Sequence, residues 1–383
     1  MKTRIDNLLF GSRRTQFLII FVLTFLFKLL FAWRSGITRG WQDESSWKKL
    51  AQTRGFFTTV IEFDAGYPTP LLRAFSFAIT QISTSNFLLW HICVLTIISG
   101  SLASLAYCRI INRKSRYLLA GLVCSYPSFD LLLLHNLSYW TFIPLFILLA
   151  NALYEKESLS ATPSALIFTL IVFTAKPQLL VAVLVMLVFI LRINGRLQKS
   201  ITIAILSILV LGLLGRTSKN AIDLSLDVPS IINLVFTANA HFINVLAPIF
   251  VIGDYALSRF LNSSALIFLF FFLSNVITVL TLTRIRRYLR DLIQIRVVLV
   301  SFLVSVGILY FFPNSGWSQN NLMFSNIYTS LFSRHYLPIV FLAGLTLFLI
   351  FQESKRINIM IFLAVIQNIA LLLFLFDKFF API

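Results

Sequence analysis

Apolar runs of a length that can cross a bilayer recur along nearly the whole chain, from Phe17–Trp33 to a last one near 359–376. A helix needs about 20 such residues to span the hydrocarbon core, and lipid leaves no other way to satisfy the backbone N–H and C=O groups of a single segment. Runs of this kind, many times over, restrict the chain to an all-α polytopic membrane protein. Composition agrees: 58% of the residues are hydrophobic, 12% are charged and the mean hydropathy is +0.88, well outside the range of soluble domains. The formal net charge of +18 does not point to nucleic acid, because the Lys and Arg residues sit in short clusters between apolar runs, as they do in cytoplasmic loops. The first run lacks a small-residue cleavage site and is followed by many like it, so it is expected to be a retained membrane helix and not a cleaved signal peptide. The three cysteines, Cys93, Cys108 and Cys124, lie in or beside apolar runs and form no metal or disulfide pattern.

The span length rule gives roughly eleven helices. They fall near 17–33, 86–108, 118–134, 139–153, 163–175, 177–191, 200–215, 264–282, 297–312, 335–351 and 359–376. Lys2, Arg4, Arg13 and Arg14 precede the first span, which puts the N-terminus in the cytoplasm. On that topology the inner segments hold about 19 basic residues and the outer ones about 12 over roughly twice the length. The five arginines of TRIRRYLRDLIQIR at 283–296 are then cytoplasmic, where they set topology and meet anionic headgroups. Inner loops are short; the outer side carries the long segments at about 34–85, 216–262 and 313–334. A single membrane domain over 1–383 is expected, with its working face outside.

The first outer loop contains WQDESSWKKLA at 41–51. From Asp43 onward, Trp47, Leu50, Ala51 and Arg54 recur at helical spacing, and Phe56, Phe57, Val60 and Ile61 make a second short apolar stripe. Two amphipathic helices lying in the interface satisfy that pattern. FDAGYPTPLLR at 63–73 follows, where Gly66, Pro68 and Pro70 enforce a turn.

Asp43 and Glu44 just after the first span, the paired interfacial stripes, and Gly66, Tyr67, Pro68 and Pro70 behind them together resemble the C-type (GT-C) integral-membrane glycosyltransferase superfamily. Lys176–Pro177 and Arg334–His335–Tyr336–Leu337–Pro338 are similar to that family's basic positions near the outer ends of helices. The resemblance covers the first 80 or so residues best and the remainder by topology. It implies a sugar donor carried on a polyprenyl phosphate, used on the non-cytoplasmic face of the inner membrane, with the first-loop aspartate as general base.

The chemistry has its own requirements. A hydroxyl acceptor needs a carboxylate within hydrogen-bond reach to take its proton. A departing phosphate needs a cation, and the lipid tail needs an apolar groove, which 39 phenylalanines can line. Asp43 is the candidate base, although it also suits a helix N-cap; Glu44 suits the first turn of a helix and is a second candidate for catalysis or metal contact. Asp64 is either a third such carboxylate or a turn residue. Lys176 and Arg334 are the candidate donor-phosphate ligands, with His335 and Tyr336 beside them. Tyr67, His135 and Asn136 are candidate acceptor or cavity residues, as is Asp130, whose structural alternative is an ion pair with Lys28 inside the first span. No cofactor is required, and a divalent metal fits among Asp43, Glu44 and Asp64 without being demanded. The expected partners are the lipid-linked sugar, a glycan or lipid acceptor, and membrane lipid. Two other readings stay open: a polymerase of lipid-linked oligosaccharides, for which arginine and histidine and not the first-loop acid would be indispensable, and a lipid or sugar-lipid transporter, for which no repeated halves are visible.

Overall fold

A computed structural model describes residues 11–34, 53, 87–126, 137–155, 337–350, 355, 357–359, 361–366 and 368–369. The elements among them are helices: α1 (Arg13–Arg34), α2 (Phe87–Ala103) running into a 3-10 turn (Ser104–Tyr107), α3 (Arg113–Cys124), α4 (Leu137–Glu155), α5 (Leu337–Ile350) and α6, within Ile357–Ile366. The expected spans at 163–175, 177–191, 200–215, 264–282 and 297–312 lie outside the described residues, as do the outer loops, Arg34 and Thr53 excepted.

α1 starts where Ser12 caps it: the Thr15 N–H donates to Ser12 Oγ at 3.2 Å and the Gln16 N–H to the Ser12 carbonyl at 3.1 Å. Its 22 residues rise about 33 Å, enough for a hydrocarbon core. Among the described residues it is the one helix that by itself is long and apolar enough to cross a membrane, and by length and composition it suits a membrane helix or a signal sequence. Its polarity is inverted relative to a soluble helix. Gln16, Ile20, Thr24 and Lys28 follow one another at four-residue intervals and all are buried, whereas Leu18, Val22, Leu23, Leu26 and Leu30 are between 49% and 63% exposed. A soluble helix buries its leucines and exposes its lysine; this one does the reverse.

The described elements fall in two compact units. In the first, α2 packs against both α1 and α4. Phe17, near the start of α1, has its ring 5.9 Å from that of Tyr107 at the end of the 3-10 turn. Lys28, in the second half of α1, meets Trp140 at the start of α4. α1 therefore runs antiparallel to α2 and α4. Asn151, near the C-terminal end of α4, locks the register: its Oδ1 accepts from the Arg109 N–H at 2.7 Å and its Nδ2 donates to the Tyr107 carbonyl at 2.9 Å. Pro144 has no N–H for the Trp140 carbonyl, so the i→i−4 ladder of α4 is interrupted close to Lys28.

In the second unit α3 packs on α5. Every residue from Val340 to Leu349 is buried, as expected of a helix apolar on all sides. Contact with α3 is close at Gly344: a Cβ there would stand 2.7 Å from Leu119 Cδ1 and 3.1 Å from Leu122 Cδ2. On α6 the apolar residues Ile359, Phe362, Leu363 and Ile366 form an exposed i, i+3, i+4, i+7 stripe, while Ile357, Ile361 and Ala364 turn inward.

Hydroxyls within these helices bond back to their own backbone, Thr96 to the Ile92 carbonyl and Thr346 to that of Leu342, both at 2.7 Å. The cysteines are free thiols, with Cys108 and Cys124 buried as packing residues. The described ends of α1, α2 and α4 lie close to those expected, whereas the third span differs. α3 begins at Arg113, capped by Asn112 Oδ1 accepting from the Ser115 N–H at 2.9 Å, and ends at Cys124, well short of 134. The reason is Pro127: its ring disfavours helical geometry at Tyr126, and the Ser125 N–H closes the last turn onto the Gly121 carbonyl at 2.9 Å.

Candidate functional site

The charged side chain that the described helices enclose most completely is Lys28, 1% exposed. Its Nζ stands 5.5 Å from the ring centroids of Phe31 and Trp140 and 5.8 Å from that of Phe27. Trp140 is itself fully buried. Ring faces carry negative potential, so each well-placed ring returns about 0.5–2 kcal/mol to a desolvated ammonium. Three rings from two helices thus offset part of the cost of removing the charge from water. Helical spacing explains the seat: Phe27 and Phe31 flank Lys28 on α1, and the antiparallel register brings the start of α4 beside them.

Cations are concentrated at the opposite end of the first unit. Arg13 and Arg14 are exposed one turn before Phe17, and Arg109 is exposed two residues after Tyr107, the ring Phe17 touches. About 22 Å of helix rise separates Arg13 from Lys28. Among the described residues Glu155, at the end of α4, is the single carboxylate. In the second unit Arg116 is buried on α3 and its Nε donates to the Ile111 carbonyl at 3.3 Å, a structural hydrogen bond beside the helix start.

The residues singled out from sequence are not among these. Asp43, Glu44, Asp64 and Tyr67 of the first outer loop lie outside the described residues, and so do Asp130, His135, Asn136, Lys176, Arg334, His335 and Tyr336. The pairing of Lys28 with Asp130 falls outside them for the same reason. Groups of three or more potential metal ligands are absent among the described residues.

Sequence reasoning left two residues unread. Trp140 gave no signal as the neighbour of Lys28, because nothing local links them. Asn151, which satisfies both ends of its amide across helices, was visible as a lone amide in the apolar run 139–153. Comparison of the chain with protein-family models, with curated proteins and with solved structures found no match in any of the three.

Proposed function

We propose that the chain is a polytopic membrane glycosyltransferase of the C type, with about 11 spans, moving a sugar from a polyprenyl-phosphate-linked donor to a glycan or lipid acceptor on the non-cytoplasmic face. The observation that carries the reading is the acid pair Asp43–Glu44, which follows α1 in sequence across the short stretch SGITRGWQ. α1 supports the membrane part: Gln16, Thr24 and Lys28 are buried while Leu18, Leu23, Leu26 and Leu30 are exposed, an order that suits lipid as the surrounding solvent.

In this reading the Asp43 carboxylate takes the proton of the acceptor hydroxyl as that oxygen attacks the anomeric carbon. The bond from that carbon to the phosphate oxygen breaks on the opposite side, and the phosphate leaves with the electron pair. Lys176 and Arg334 stabilise the leaving charge, with His335 and Tyr336 beside it. One base and one displacement invert the anomeric centre. Glu44 and Asp64 supply further carboxylates, for the acceptor or for a divalent metal.

The test is transfer of labelled sugar from a polyprenyl-phosphate donor by protein purified in detergent. Asp43→Asn is expected to retain expression and thermal stability and to lose transfer, with Glu44→Gln as the neighbouring comparison. Full turnover by Asp43→Asn removes the mechanism, and indispensable Arg334 and His335 beside a dispensable Asp43 favour the polymerase. The transporter reading draws on one observation, the buried ionisable Lys28 of α1. Transport requires a sealed compartment and transfer does not, so activity in detergent separates the two classes.

A further inference from the structure

We infer that the first unit holds a binding site for one anionic phospholipid, with Arg13, Arg14 and Arg109 for the headgroup and the Phe17, Phe21 and Phe25 rings of α1 for an acyl chain. The inference rests on the membrane part of the reading above and is independent of the transferase part.

The cations are brought together by the fold. Arg13 and Arg14 stand four and three residues before Phe17 and so lie one turn above it on the same side of α1. Phe17 touches Tyr107, which is 42% exposed, and Arg109 follows two residues later. Asn151 fixes that segment by bonding the Tyr107 carbonyl and the Arg109 N–H together, so the backbone bearing Arg109 is held in place and not merely exposed. Glu155 ends α4 one turn beyond Asn151, and against three arginines it leaves this end strongly positive.

Below the cations the surface becomes apolar at once. Phe17 and Phe21 stack at 6.2 Å and Phe21 and Phe25 at 6.1 Å, with interplanar angles of 18° and 15°. All three are half-buried, and Leu18 and Val22 lie exposed beside them. Rings spaced one turn apart from residue 17 to 25 give a continuous edge about 12 Å long, matched to much of an acyl chain. Tyr107 presents a phenol at the boundary, where amphipathic rings settle in membranes. Arginine binds phosphate oxygens in pairs of parallel hydrogen bonds. A zwitterionic headgroup brings its own cation into the same cluster, so the occupant is an anionic lipid.

The experiment uses the full chain, purified and stripped of lipid in detergent, then offered equimolar phosphatidylglycerol and phosphatidylcholine and read by native mass spectrometry. Wild type is expected to retain phosphatidylglycerol about tenfold over phosphatidylcholine, a difference of about 1.4 kcal/mol. The Arg13→Gln, Arg14→Gln, Arg109→Gln triple variant is expected to fall to near parity. Removing the same number of charges through Arg192→Gln, Arg196→Gln and Lys199→Gln leaves the preference intact, and Phe21→Ala weakens retention of both lipids without changing their ratio. Parity in wild type overturns the site, and so does an equal loss in both triple variants, which reduces the effect to net charge. Alkaline extraction of cell membranes distinguishes the underlying reading: protein released from the membrane overturns both, and protein retained there but at parity overturns the lipid site alone.

Discussion

α1 and α5 are both built from Leu, Ile, Val and Phe, yet each meets its surroundings differently. α5 is buried along its length from Val340 to Leu349, carries no charge and lets α3 approach at a glycine. α1 exposes its leucines and keeps Gln16, Thr24 and Lys28 inside. Apolar content therefore says that both helices avoid water. The position of the few polar residues says which face each turns to protein. A helix with buried polar groups and exposed leucines is stable where the outer solvent is lipid, while a helix with no charge, its one hydroxyl bonded to its own backbone, can be enclosed on every side.

The largest test of that contrast is the seat of Lys28. Trp140→Ala removes a fully buried ring and one wall of the cation's enclosure, and is expected to cost about 3–5 kcal/mol, read as a fall in thermal midpoint in detergent. Leu148→Ala, on the same helix but 53% exposed, is expected to cost far less. Equal losses would mean that α4 has no inner and outer face. Lys28→Met sharpens the result: with similar length and no charge it is expected to hold stability within about 1.5 kcal/mol of wild type, as replacement of a buried charge by an apolar side chain often does.

Next in size is a charge on the outer face of α1. Leu26→Arg is expected to oppose membrane insertion by about 2.5–3.5 kcal/mol, lowering the fraction of protein that resists alkaline extraction. If the exposed leucines face water instead, the same change leaves membrane association untouched and improves solubility. The counterpart in α5 is Gly344→Val, whose added carbons meet Leu119 and Leu122 and are expected to cost roughly 1–3 kcal/mol through overpacking. Leu119→Ala in the same chain should recover part of the loss, because it reopens the space the valine needs.

These helices were legible in the sequence because their signal is local. Apolar runs predict α1, α2, α4, α5 and α6 to within a few residues at the ends described, and the four-residue spacing of Gln16, Ile20, Thr24 and Lys28 already marks the inner face of α1. α3 was misjudged at its far end because hydropathy continues past Cys124, while Pro127 acts on backbone geometry that hydropathy does not register. The meeting of Lys28 with Trp140, and of Asn151 with Tyr107 and Arg109, was not legible, since each depends on which helix packs against which. The candidate catalytic residues were read from their chemistry and from where they fall relative to the runs. Asp43, Lys176 and Arg334 are far apart in sequence, and no periodicity encodes how loops and helix ends converge.

The smallest expected effect concerns the polar contact of the second unit. Asn368 Nδ2 donates to Ser125 Oγ at 3.4 Å, and Ser125 Oγ donates in turn to the Leu122 carbonyl at 3.2 Å, with both residues buried. In water-excluded surroundings such a pair ought to be strong, but the unfolded helices in a membrane find other partners, and measured couplings between membrane helices average about 0.6 kcal/mol. Ser125→Ala and Asn368→Ala are therefore expected to couple by about that amount in a double-mutant cycle, read from thermal midpoints in detergent. Ser125→Ala alone should cost at least that coupling, because it leaves the buried Asn368 amide without this acceptor, although the helix backbone stays closed by the Ser125 N–H. Asn368→Ala alone should cost a similar amount for the hydrogen bond, plus the packing of the amide. A coupling several times larger would make the hydrogen bond, and not the close contact at Gly344, the main tie within that unit, and would put a polar determinant in the second unit as dominant as Lys28 is in the first.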